Sequence, residues 1–383
     1  ARIAEVAMWL IDHQMNMLIS NEFGQYFARL PLKKSAKIVH SDALEVNWEE
    51  VVSKNDLSYI IGNPPFIGSK IMNQFQRDSI VREFENIQGS GVLDYVTGWY
   101  LKAAKYIQNT KIKAAFVSTN SIVQGEQTSI LWGQMINKYG VKIHFAHRTF
   151  KWSNEAKGNA AVFCVIVGFA NFDTNQKRIF EYEDIKGEAH ELKVKNINPY
   201  LVDAKDILIE KKSNPICNVP KMSFGNMPLD GGNLILSDEE KEHFLSIEPL
   251  SEKYILPLIS AFEFLNGKKR WCIWLVDIEP NELKQLPEVL KRVELVKQFR
   301  LNSVAPSTQK FAMTPTLFRD RNRPETFIVV PRVSSENRPY IPFGFFDKNS
   351  IVSDTCMSIP LGNKFHFGVL MSTMHMAWVK TTC

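Results

Sequence analysis

The clearest chemical signal in the sequence is the tetrapeptide Asn63-Pro64-Pro65-Phe66, which directly follows an apolar run over residues 57–61. The side-chain oxygen of Asn63 and the backbone carbonyl of Pro64 can accept hydrogen bonds from an amino group. They can thereby support the charge that develops when its nitrogen attacks an electrophilic methyl group. Two consecutive prolines fix φ, so these acceptors are preorganised. Phe66 adds a ring face on which a base can stack. The plainer interpretation is a Pro-Pro turn with an Asn cap.

Alternating strand and helix patterns surround this tetrapeptide. Helical periodicity predicts an amphipathic helix over residues 1–18 and further helices over residues 93–107 and 130–138. Short apolar runs predict strands over residues 37–40, 57–61, 114–118, 141–146 and 161–169. This alternation is typical of a largely parallel, doubly wound α/β sheet, which binds ligands beyond the carboxyl ends of its strands. The loops at residues 41–44 and 63–66 would lie there.

The tetrapeptide after a strand resembles the catalytic motif of the S-adenosylmethionine-dependent amino-methyltransferases, particularly the N6-adenine DNA methyltransferases. Ser41-Asp42-Ala43-Leu44 resembles the motif whose acidic residue binds the adenine amino group of the cofactor, and Leu93-Asp94-Tyr95 resembles one that lines the cofactor pocket. Asp42 could instead cap a turn, and Asp94 could be a helix N-cap. The resemblance implies a catalytic motif of Asn63, Pro64, Pro65 and Phe66. It implies cofactor binding by Asp42, Ala43, Asn63 and Asp94.

Residues 150–162 resemble the later family motif that presents an aromatic ring to the opposite face of a flipped base. Phe150 or Trp152 would supply that ring, with Phe66 on the other side, although either could belong to the core. Gly89-Ser90-Gly91 is interpreted as a loop before a helix, because it follows the tetrapeptide rather than the first strand. The resemblance implies a Rossmann-like sheet whose first strand, Gly-rich loop and second acidic residue would precede Ala1.

The composition predicts more than one domain. A length of 383 residues, 45% hydrophobic and 23% charged, suits two or three globular domains. We predict a methyltransferase catalytic domain over residues 1–172, a connector with a hairpin over 173–212, and a mixed α+β domain over 213–383 that includes helices near residues 237–246 and 283–299. The formal net charge is +5, and residues 291–338 hold ten basic residues against four acids. Such a segment favours a polyanionic partner, although a solvated surface is the alternative.

The second half resembles the target-recognition region of the MmeI-like type IIG restriction-modification enzymes. The similar stretches are residues 224–232, 267–275, 331–342 and 367–378. The family implies duplex DNA as partner and an upstream nuclease on the same polypeptide. Arginines can contact phosphates or, bidentately, guanine. The predicted DNA-binding residues are Lys268, Lys269, Arg270, Arg319, Arg321, Arg323, Arg332 and Arg338.

Other classes of protein are disfavoured. No apolar run approaches the ~20 residues of a transmembrane helix, and no signal peptide is evident. Five scattered cysteines without a Cys-x-x-Cys pair argue against a disulfide framework and a zinc site, so we predict a cytoplasmic protein with no metal. Asp277 with Glu282-Leu283-Lys284 has the residue types of an Asp…Glu-x-Lys nuclease centre, but no strand pattern supports such a metal site.

The sequence therefore predicts part of an N6-adenine DNA methyltransferase that uses S-adenosylmethionine. One alternative is a methyltransferase acting on a protein glutamine or an RNA amine, because the same tetrapeptide suits those acceptors. Another is a DNA-binding fragment without catalytic activity, because no Gly-rich cofactor loop is found in the sequence.

Overall fold

A computed structural model of the chain describes residues 2–24, 37–152, 162–184, 187–335 and 338–383. The chain divides into two compact units. Unit 1 consists of residues 1–211 and 381–383, and unit 2 consists of residues 212–380.

Unit 1 contains one six-stranded sheet. Its strands are β1 (Tyr59–Gly62), β2 (Lys113–Thr119), β3 (Lys142–Trp152), β4 (Val162–Ala170), β5 (Lys177–Tyr182) and β6 (Ala189–Val194). Their order across the sheet is β1-β2-β4-β3-β5-β6. The predicted strands near residues 57–61, 114–118, 141–146 and 161–169 are confirmed, and β3 continues six residues further than predicted.

The prediction of a largely parallel sheet is wrong. β1 pairs with β2 in parallel, as does β3 with β5, whereas β4 is antiparallel to both β2 and β3, and β6 is antiparallel to β5. Only nine residues separate β3 from β4. A parallel crossover needs about a dozen or more residues, so a link of this length favours an antiparallel pair. The sheet is thus mixed, within an α/β unit.

The helices described in unit 1 are α1 (Arg2–Phe23), α2 (Trp48–Val51), α3 (Gln74–Glu83), α4 (Thr97–Tyr106) and α5 (Gly125–Trp132), and a π-helical segment, Gly133–Lys138, continues α5. The three helices predicted in unit 1 are present with different ends, and α2 and α3 were not predicted. Gly89 precedes a short 3-10 turn, Ser90–Val92, and this segment lies before α4. The prediction of a loop before a helix at residues 89–91 is consistent with this arrangement.

The strand predicted over residues 37–40 is not present. Their sequence has the apolar pattern of a strand. A strand also requires a hydrogen-bonded neighbour, however, and no described strand pairs with these residues. An apolar pattern specifies which face is buried and says nothing about which strand supplies the hydrogen bonds.

The core of unit 1 lies between this sheet and helices α3, α4 and α5. Tyr100 on α4 packs in it, fully buried, with its ring 5.2 Å from Phe116 and 5.7 Å from Phe169. The Tyr100 hydroxyl donates to the Phe116 carbonyl oxygen at 3.2 Å, so its polar end is satisfied. Gly98 allows α4 to approach closely, because a Cβ there would lie 3.0 Å from both Ile80 and Leu44.

Unit 2 contains two four-stranded sheets. Their strands are β7 (Ser223–Phe224), β8 (Ile235–Leu236), β9 (Ile255–Ile259), β10 (Trp271–Ile273), β11 (Thr326–Pro331), β12 (Gly344–Asp347), β13 (Ile351–Val352) and β14 (Cys356–Pro360). One sheet has the order β13-β9-β10-β8 and the other β12-β11-β14-β7. All of their pairs are antiparallel except β13 with β9.

Seven helices complete unit 2 as described. They are α6 (Asp238–Ile247), α7 (Ala261–Asn266), α8 (Pro280–Leu283), α9 (Pro287–Leu301), α10 (Pro306–Lys310), α11 (Lys364–Leu370) and α12 (Thr373–Thr382), the last ending in residues assigned to unit 1. The helices predicted near residues 237–246 and 283–299 correspond to α6 and α9. In the described part of the chain, none of the helices is both long and apolar enough to cross a membrane.

Candidate functional site

Three strands of unit 1 end at the same edge of its sheet. Gly62 at the end of β1 pairs with Phe116, and both Thr119 at the end of β2 and Phe150 near the end of β3 pair with Cys164. The segments that follow these strands therefore leave the sheet at a common edge. This is the edge at which the sequence predicted a ligand site.

The loop after β1 leaves its acceptors free. Pro64 is buried, Phe66 is half-buried, and Asn63 and Pro65 are exposed. Among the residues described, neither the Asn63 side chain nor the Pro64 carbonyl oxygen has a hydrogen-bond partner. The next carbonyl, that of Pro65, accepts from the Ile67 amide at 3.2 Å and closes a tight turn. Neither acceptor proposed from the sequence is thus occupied by a described protein group.

Asp94 ties this loop to the loop after β2. Its Oδ1 accepts from the Ser69 amide at 2.9 Å, and its Oδ2 accepts from the Ser121 hydroxyl at 2.6 Å. Its own amide donates to Gln127 Oε1 at 2.8 Å. Asp94 is not a helix N-cap, since α4 begins at Thr97 without a side-chain cap. The carboxylate instead fixes the segment that follows the tetrapeptide.

Tyr95 connects the same loop to Asp42. The Tyr95 amide donates to the Ile67 carbonyl oxygen at 2.9 Å, and its hydroxyl donates to Asp42 Oδ2 at 3.4 Å. Burial and the neighbouring Asp42 carboxylate raise the pKa of Tyr95 to about 12. The hydroxyl therefore stays protonated at neutral pH and remains a donor. The structure thus brings Asp42, Asp94 and the loop after β1 together.

Asp42 lies in a turn that is anchored from α4. Its Oδ1 accepts from the Leu44 amide at 2.8 Å, which closes an Asx turn. The Lys102 ammonium donates to the Leu44 carbonyl oxygen at 2.6 Å and to that of Val46 at 2.7 Å. Burial lowers the pKa of Lys102, with nearby acids opposing that effect. The Ala43 carbonyl accepts from the Trp48 indole at 2.9 Å. Asp42 therefore caps a turn, as the alternative held, while its Oδ2 can still accept another donor.

The end of β3 carries an aromatic cluster. The Phe150 ring lies 6.1 Å from Trp152 and 5.3 Å from Tyr182, and His147 stacks on Phe180 at 4.3 Å. His147 Nδ1 is 2.8 Å from the Tyr182 hydroxyl. Trp152 is 43% exposed, so it is not a core residue, whereas Phe150 is half-buried. Residues 153–161 of the predicted motif lie outside the described residues, and the sandwich of a base against Phe66 stays a prediction.

The eight basic residues predicted for DNA binding in unit 2 differ in their contacts. Arg270 Nε pairs with the buried Glu263 at 2.9 Å, and Arg319 pairs with Asp320 at 3.0 Å. The Lys268 ammonium lies 5.0 Å from the centre of the Phe262 ring. Carboxylate pairing neutralises charge, so Arg270 and Arg319 are weaker anion ligands than their exposure indicates.

The other five have no carboxylate partner among the contacts of the described residues. Arg323 Nε donates to the Lys348 carbonyl oxygen at 2.7 Å, and Arg332 donates to that of Asp354 at 3.0 Å. Arg321 and Lys269 are exposed and have no side-chain hydrogen bond or ion pair within the described ranges. Arg338 is half-buried next to the undescribed residues 336–337.

Arg332 and the loop at residues 319–323 meet around Phe224. The Arg332 guanidinium lies 5.0 Å from the centre of that ring, and the Asn322 side-chain amide donates to the Phe224 carbonyl oxygen at 3.1 Å. No hydrogen bond or ion pair between described residues joins residues 268–270 to this group. The structure therefore brings Arg332 together with the loop that carries Arg319, Arg321 and Arg323. Lys268, Lys269 and Arg270 make no described hydrogen bond or ion pair with that group.

Several structurally prominent residues were not singled out from the sequence. Asn226 and Arg300 are completely buried polar side chains in unit 2, and Ser69, Ser121 and Gln127 hold Asp94 in unit 1. Asn226 lies in one of the stretches that resemble the family, but the resemblance assigns it no role. In the sequence, Arg300 is one of the ten basic residues of the segment 291–338, with nothing to distinguish it from the others.

Comparison with known proteins agrees with the resemblance seen in the motifs. Residues 1–181 match the family model described as MmeI, DNA-methyltransferase domain, and residues 203–383 match the one described as MmeI, target recognition domain. DNA methyltransferase A of Bacillus subtilis (strain 168) is 39% identical over 382 residues, which is 99% of this chain and 43% of that protein.

A solved structure also matches nearly the whole chain. It is that of the type IIL restriction-modification enzyme MmeI in complex with DNA, with a TM-score of 0.91 and 47% identity, covering 99% of this chain and 51% of that one. The chain thus spans about half the length of the relatives that it matches. It belongs to the MmeI-like restriction-modification family, and its residues match that family's DNA-methyltransferase and target-recognition domains in turn.

Proposed function

We propose that the chain provides the catalytic loop and the target-recognition part of a site-specific DNA methyltransferase. The enzyme transfers a methyl group from S-adenosylmethionine to adenine N6 in duplex DNA, within a restriction-modification protein. The observation that carries the proposal is the loop after β1, whose two free acceptors lie on a turn bonded to Asp94 and, through Tyr95, linked to Asp42. Unit 1 is then the Rossmann-like methyltransferase sheet of residues 1–172, extended by the hairpin β5–β6.

The residues present fit one end of the cofactor. An adenine amino group needs an acceptor, and among the residues described the one hydrogen-bond partner of Asp42 Oδ2 is the Tyr95 hydroxyl, at 3.4 Å. Ala43 belongs to the same anchored turn. Asp94 has both oxygens engaged by protein groups, so it contributes by fixing the pocket wall. Bound S-adenosylmethionine would supply the methyl group from its sulfonium and leave as S-adenosylhomocysteine when the N–C bond forms.

The chain's own residues hold the amine. Asn63 Oδ1 and the Pro64 carbonyl oxygen accept the two N6 hydrogens, which keeps electron density on nitrogen and supports its developing positive charge. Phe66 stacks on one face of the extruded base, and Phe150 or Trp152 on the other. The nitrogen becomes acidic after transfer and loses its proton to solvent. No side chain near Asn63 is assigned as a general base.

Unit 2 would place the duplex. Three exposed guanidinium groups, those of Arg321, Arg323 and Arg332, belong to segments that contact one another around Phe224. Such a group of cations suits phosphate contacts. Removing charge at Arg332 and Arg338 should weaken duplex binding, and unchanged affinity would remove them from the interface.

The test of the reaction is analysis of the methylated product. Because the chain spans about half of its relatives, transfer is measured in a chimera in which residues 1–383 replace the matching stretch of Bacillus subtilis DNA methyltransferase A. Labelled S-adenosylmethionine is incubated with a duplex pool, and the DNA is digested to nucleosides. N6-methyldeoxyadenosine is expected. Methylated cytosine would overturn the adenine assignment, and methylated RNA or protein in place of DNA would favour the alternative acceptors.

The test of the site is Asn63→Ala. Loss of one of the two acceptors should lower kcat by about 10²-fold or more, while duplex binding stays nearly unchanged. Asn55→Ala is the matched control, because Asn55 is also an exposed asparagine near β1 and its side chain makes no described hydrogen bond. Equal activity of the two variants would contradict the role of Asn63.

The test of base stacking compares aromatic truncations. Trp152→Ala and Phe150→Ala should identify which ring contacts the base, since stacking contributes about 1 to 3 kcal/mol per base. The one that does should lower methylation strongly, whereas Phe75→Ala on α3, another exposed aromatic, should not. Wild-type activity in both variants would exclude the end of β3 from the base pocket.

A further inference from the structure

The loop that precedes β11 is unusually well anchored. Residues 314–323 contain neither helix nor strand, and they carry Arg319, Arg321 and Arg323. Exposed loops of this length are commonly mobile. Here, however, both parts of the loop are hydrogen-bonded to fully buried side chains.

The first anchor is Arg300, near the end of α9. It is 0% exposed, and its five N–H groups donate to five backbone carbonyl oxygens. The acceptors are Leu229 (2.8 Å), Phe311 (2.9 Å), Thr314 (2.8 Å), Pro228 (2.9 Å) and Leu317 (2.7 Å). A guanidinium has five donors in a rigid fork, so every one is used.

These bonds join the basic loop to a second segment, residues 226–230. Leu229 has a left-handed φ of 47°, which is unfavourable for a residue with a side chain. Its carbonyl is the one that accepts from Arg300 Nε. Arg300 therefore holds two irregular segments in one arrangement, including a backbone conformation that Leu229 would rarely adopt on its own.

The second anchor is Asn226, which is also 0% exposed. Its Oδ1 accepts from the Asn322 amide at 2.7 Å, and its Nδ2 donates to the Asn322 carbonyl oxygen at 2.9 Å and to that of Val352 at 3.0 Å. Beside it, a Cβ on Gly225 would lie 2.1 Å from the Ser353 carbonyl oxygen. This close backbone approach and the bonds of Asn226 fix Asn322, the residue after Arg321.

The anchored loop leaves one guanidinium uncommitted. Arg319 pairs with Asp320, and Arg323 donates to the Lys348 carbonyl oxygen. Arg321 lies between them, is exposed, and has no side-chain partner in the described parts of the chain. The anchors hold the backbone on its C-terminal side at Asn322 and on its N-terminal side at Leu317.

We infer that residues 314–323 form a preorganised DNA-contacting loop in which Arg321 binds acceptor atoms of the duplex, while Arg300 and Asn226 are its positioning residues. This inference rests on the proposed function, because it takes duplex DNA as the ligand. A backbone that is already fixed loses little further freedom on binding, so more of the contact energy of Arg321 appears as affinity.

The first test is duplex affinity across salt concentrations, measured by fluorescence anisotropy with a labelled random-sequence 30-mer. Arg321→Ala should weaken binding about tenfold. The control Lys284→Ala also removes one exposed positive charge from unit 2 and should change affinity less than twofold. If Arg321 contacts a phosphate, its loss reduces the slope of log K against log salt by about 0.9. If it contacts a base, a selection from random duplexes loses one preferred position.

Equal affinities of Arg321→Ala and Lys284→Ala would overturn the inference while leaving the proposed function intact. Failure of the unaltered chain to bind any duplex would overturn the DNA partner, and with it the inference. Arg321→Lys should restore a phosphate contact in part, but not a bidentate contact with guanine.

The second test asks whether the anchors act through Arg321. In an Asn226→Ala background, Arg321→Ala should weaken binding less than threefold, because the loop is no longer held. Asn322→Gly is a second background that leaves the buried residue unaltered: it keeps both backbone bonds to Asn226 but removes the side-chain bond to the Phe224 carbonyl oxygen and makes the backbone more flexible next to Arg321. A full tenfold effect of Arg321→Ala in both backgrounds would show that Asn226 only stabilises the fold, and would overturn its positioning role.

Discussion

Two loops in different units are held in place by opposite kinds of side chain. The loop after β1 in unit 1 is fixed by a carboxylate, Asp94, which accepts from a backbone amide and a hydroxyl. The loop before β11 in unit 2 is fixed by a guanidinium, Arg300, which donates to backbone carbonyls alone. Both loops lack regular structure, and both carry residues proposed to contact ligands.

The charge of each anchoring side chain determines which groups of its loop stay free for a ligand. A carboxylate anchor uses the N–H groups of its loop and leaves carbonyl oxygens such as that of Pro64 free to accept from an amine. An arginine anchor uses the carbonyls of its loop and leaves cationic side chains such as Arg321 to face an anion. In each unit the anchor occupies the backbone groups that the proposed ligand does not need.

The largest expected effect comes from Arg300→Met, which keeps an unbranched apolar stem but removes all five donors. Five backbone carbonyls would lose the buried donors that they now share, so unit 2 should be destabilised by about 3 to 5 kcal/mol. Pulsed thiol labelling in urea measures this unit by unit, because Cys272 and Cys356 are buried in unit 2 and Cys164 is buried in unit 1. Burial raises the pKa of all three thiols, so their labelling requires opening.

Arg292→Met is the control for this variant. Arg292 lies on the same helix but makes one described hydrogen bond, to the Asn233 carbonyl oxygen at 2.8 Å, so about 1 kcal/mol is expected. Labelling of Cys164 should not change in either variant. Similar midpoints for Arg300→Met and Arg292→Met would mean that the buried guanidinium contributes no more than an ordinary side chain.

A smaller effect is expected from Asp94→Ala in unit 1. Two hydrogen bonds to a charged acceptor are lost, but Asp94 is only half-buried, so water can replace part of them. A destabilisation of about 1.5 to 3 kcal/mol is expected, reported by Cys164. Asp78→Ala on α3 removes an exposed acid whose one bond among the described residues is to Gln74, and it should change little. An Asp94→Ala midpoint equal to that of Asp78→Ala would remove Asp94 as an anchor.

The two loops also differ in how far the sequence reveals them. The tetrapeptide at Asn63 could be identified because its own atoms carry the proposed chemistry, and the strand before it follows from a local apolar pattern. Arg300 and Asn226 could not be identified, because their roles depend on partners 71 and 96 positions away. Nothing in a local pattern distinguishes a buried arginine that bonds to carbonyls from one that contacts solvent.

Pairing between strands shows the same limit. Residues 37–40 have the apolar pattern of a strand, but no described strand pairs with them. The antiparallel direction of β4 is explained by the short connection that precedes it, and its own residues do not indicate it. Local patterns predicted the positions of four strands and three helices of unit 1, but not α2 or α3. Partners, directions and anchors depend on contacts between distant residues.

The smallest expected effect is a pH dependence of unit 1 due to His147. Burial lowers the pKa of this imidazole below its ordinary value of 6.5, so the unfolded state binds more protons than the folded state just below that pH. The stabilising contribution is therefore fully present above about pH 6.5 and decreases as the pH falls through the lowered value. His144 behaves in the same way, because burial also lowers its pKa.

Urea midpoints reported by Cys164 between pH 7.5 and pH 5 measure this dependence. His147→Phe keeps a ring to stack on Phe180 and should flatten the profile, leaving only the part due to His144. His190→Gln, at an exposed position on β6, is the control and should keep the wild-type profile. An unchanged slope in His147→Phe would mean that the imidazole is protonated equally in both states. The aromatic cluster at the end of β3 would then hold His147 without excluding its charged form.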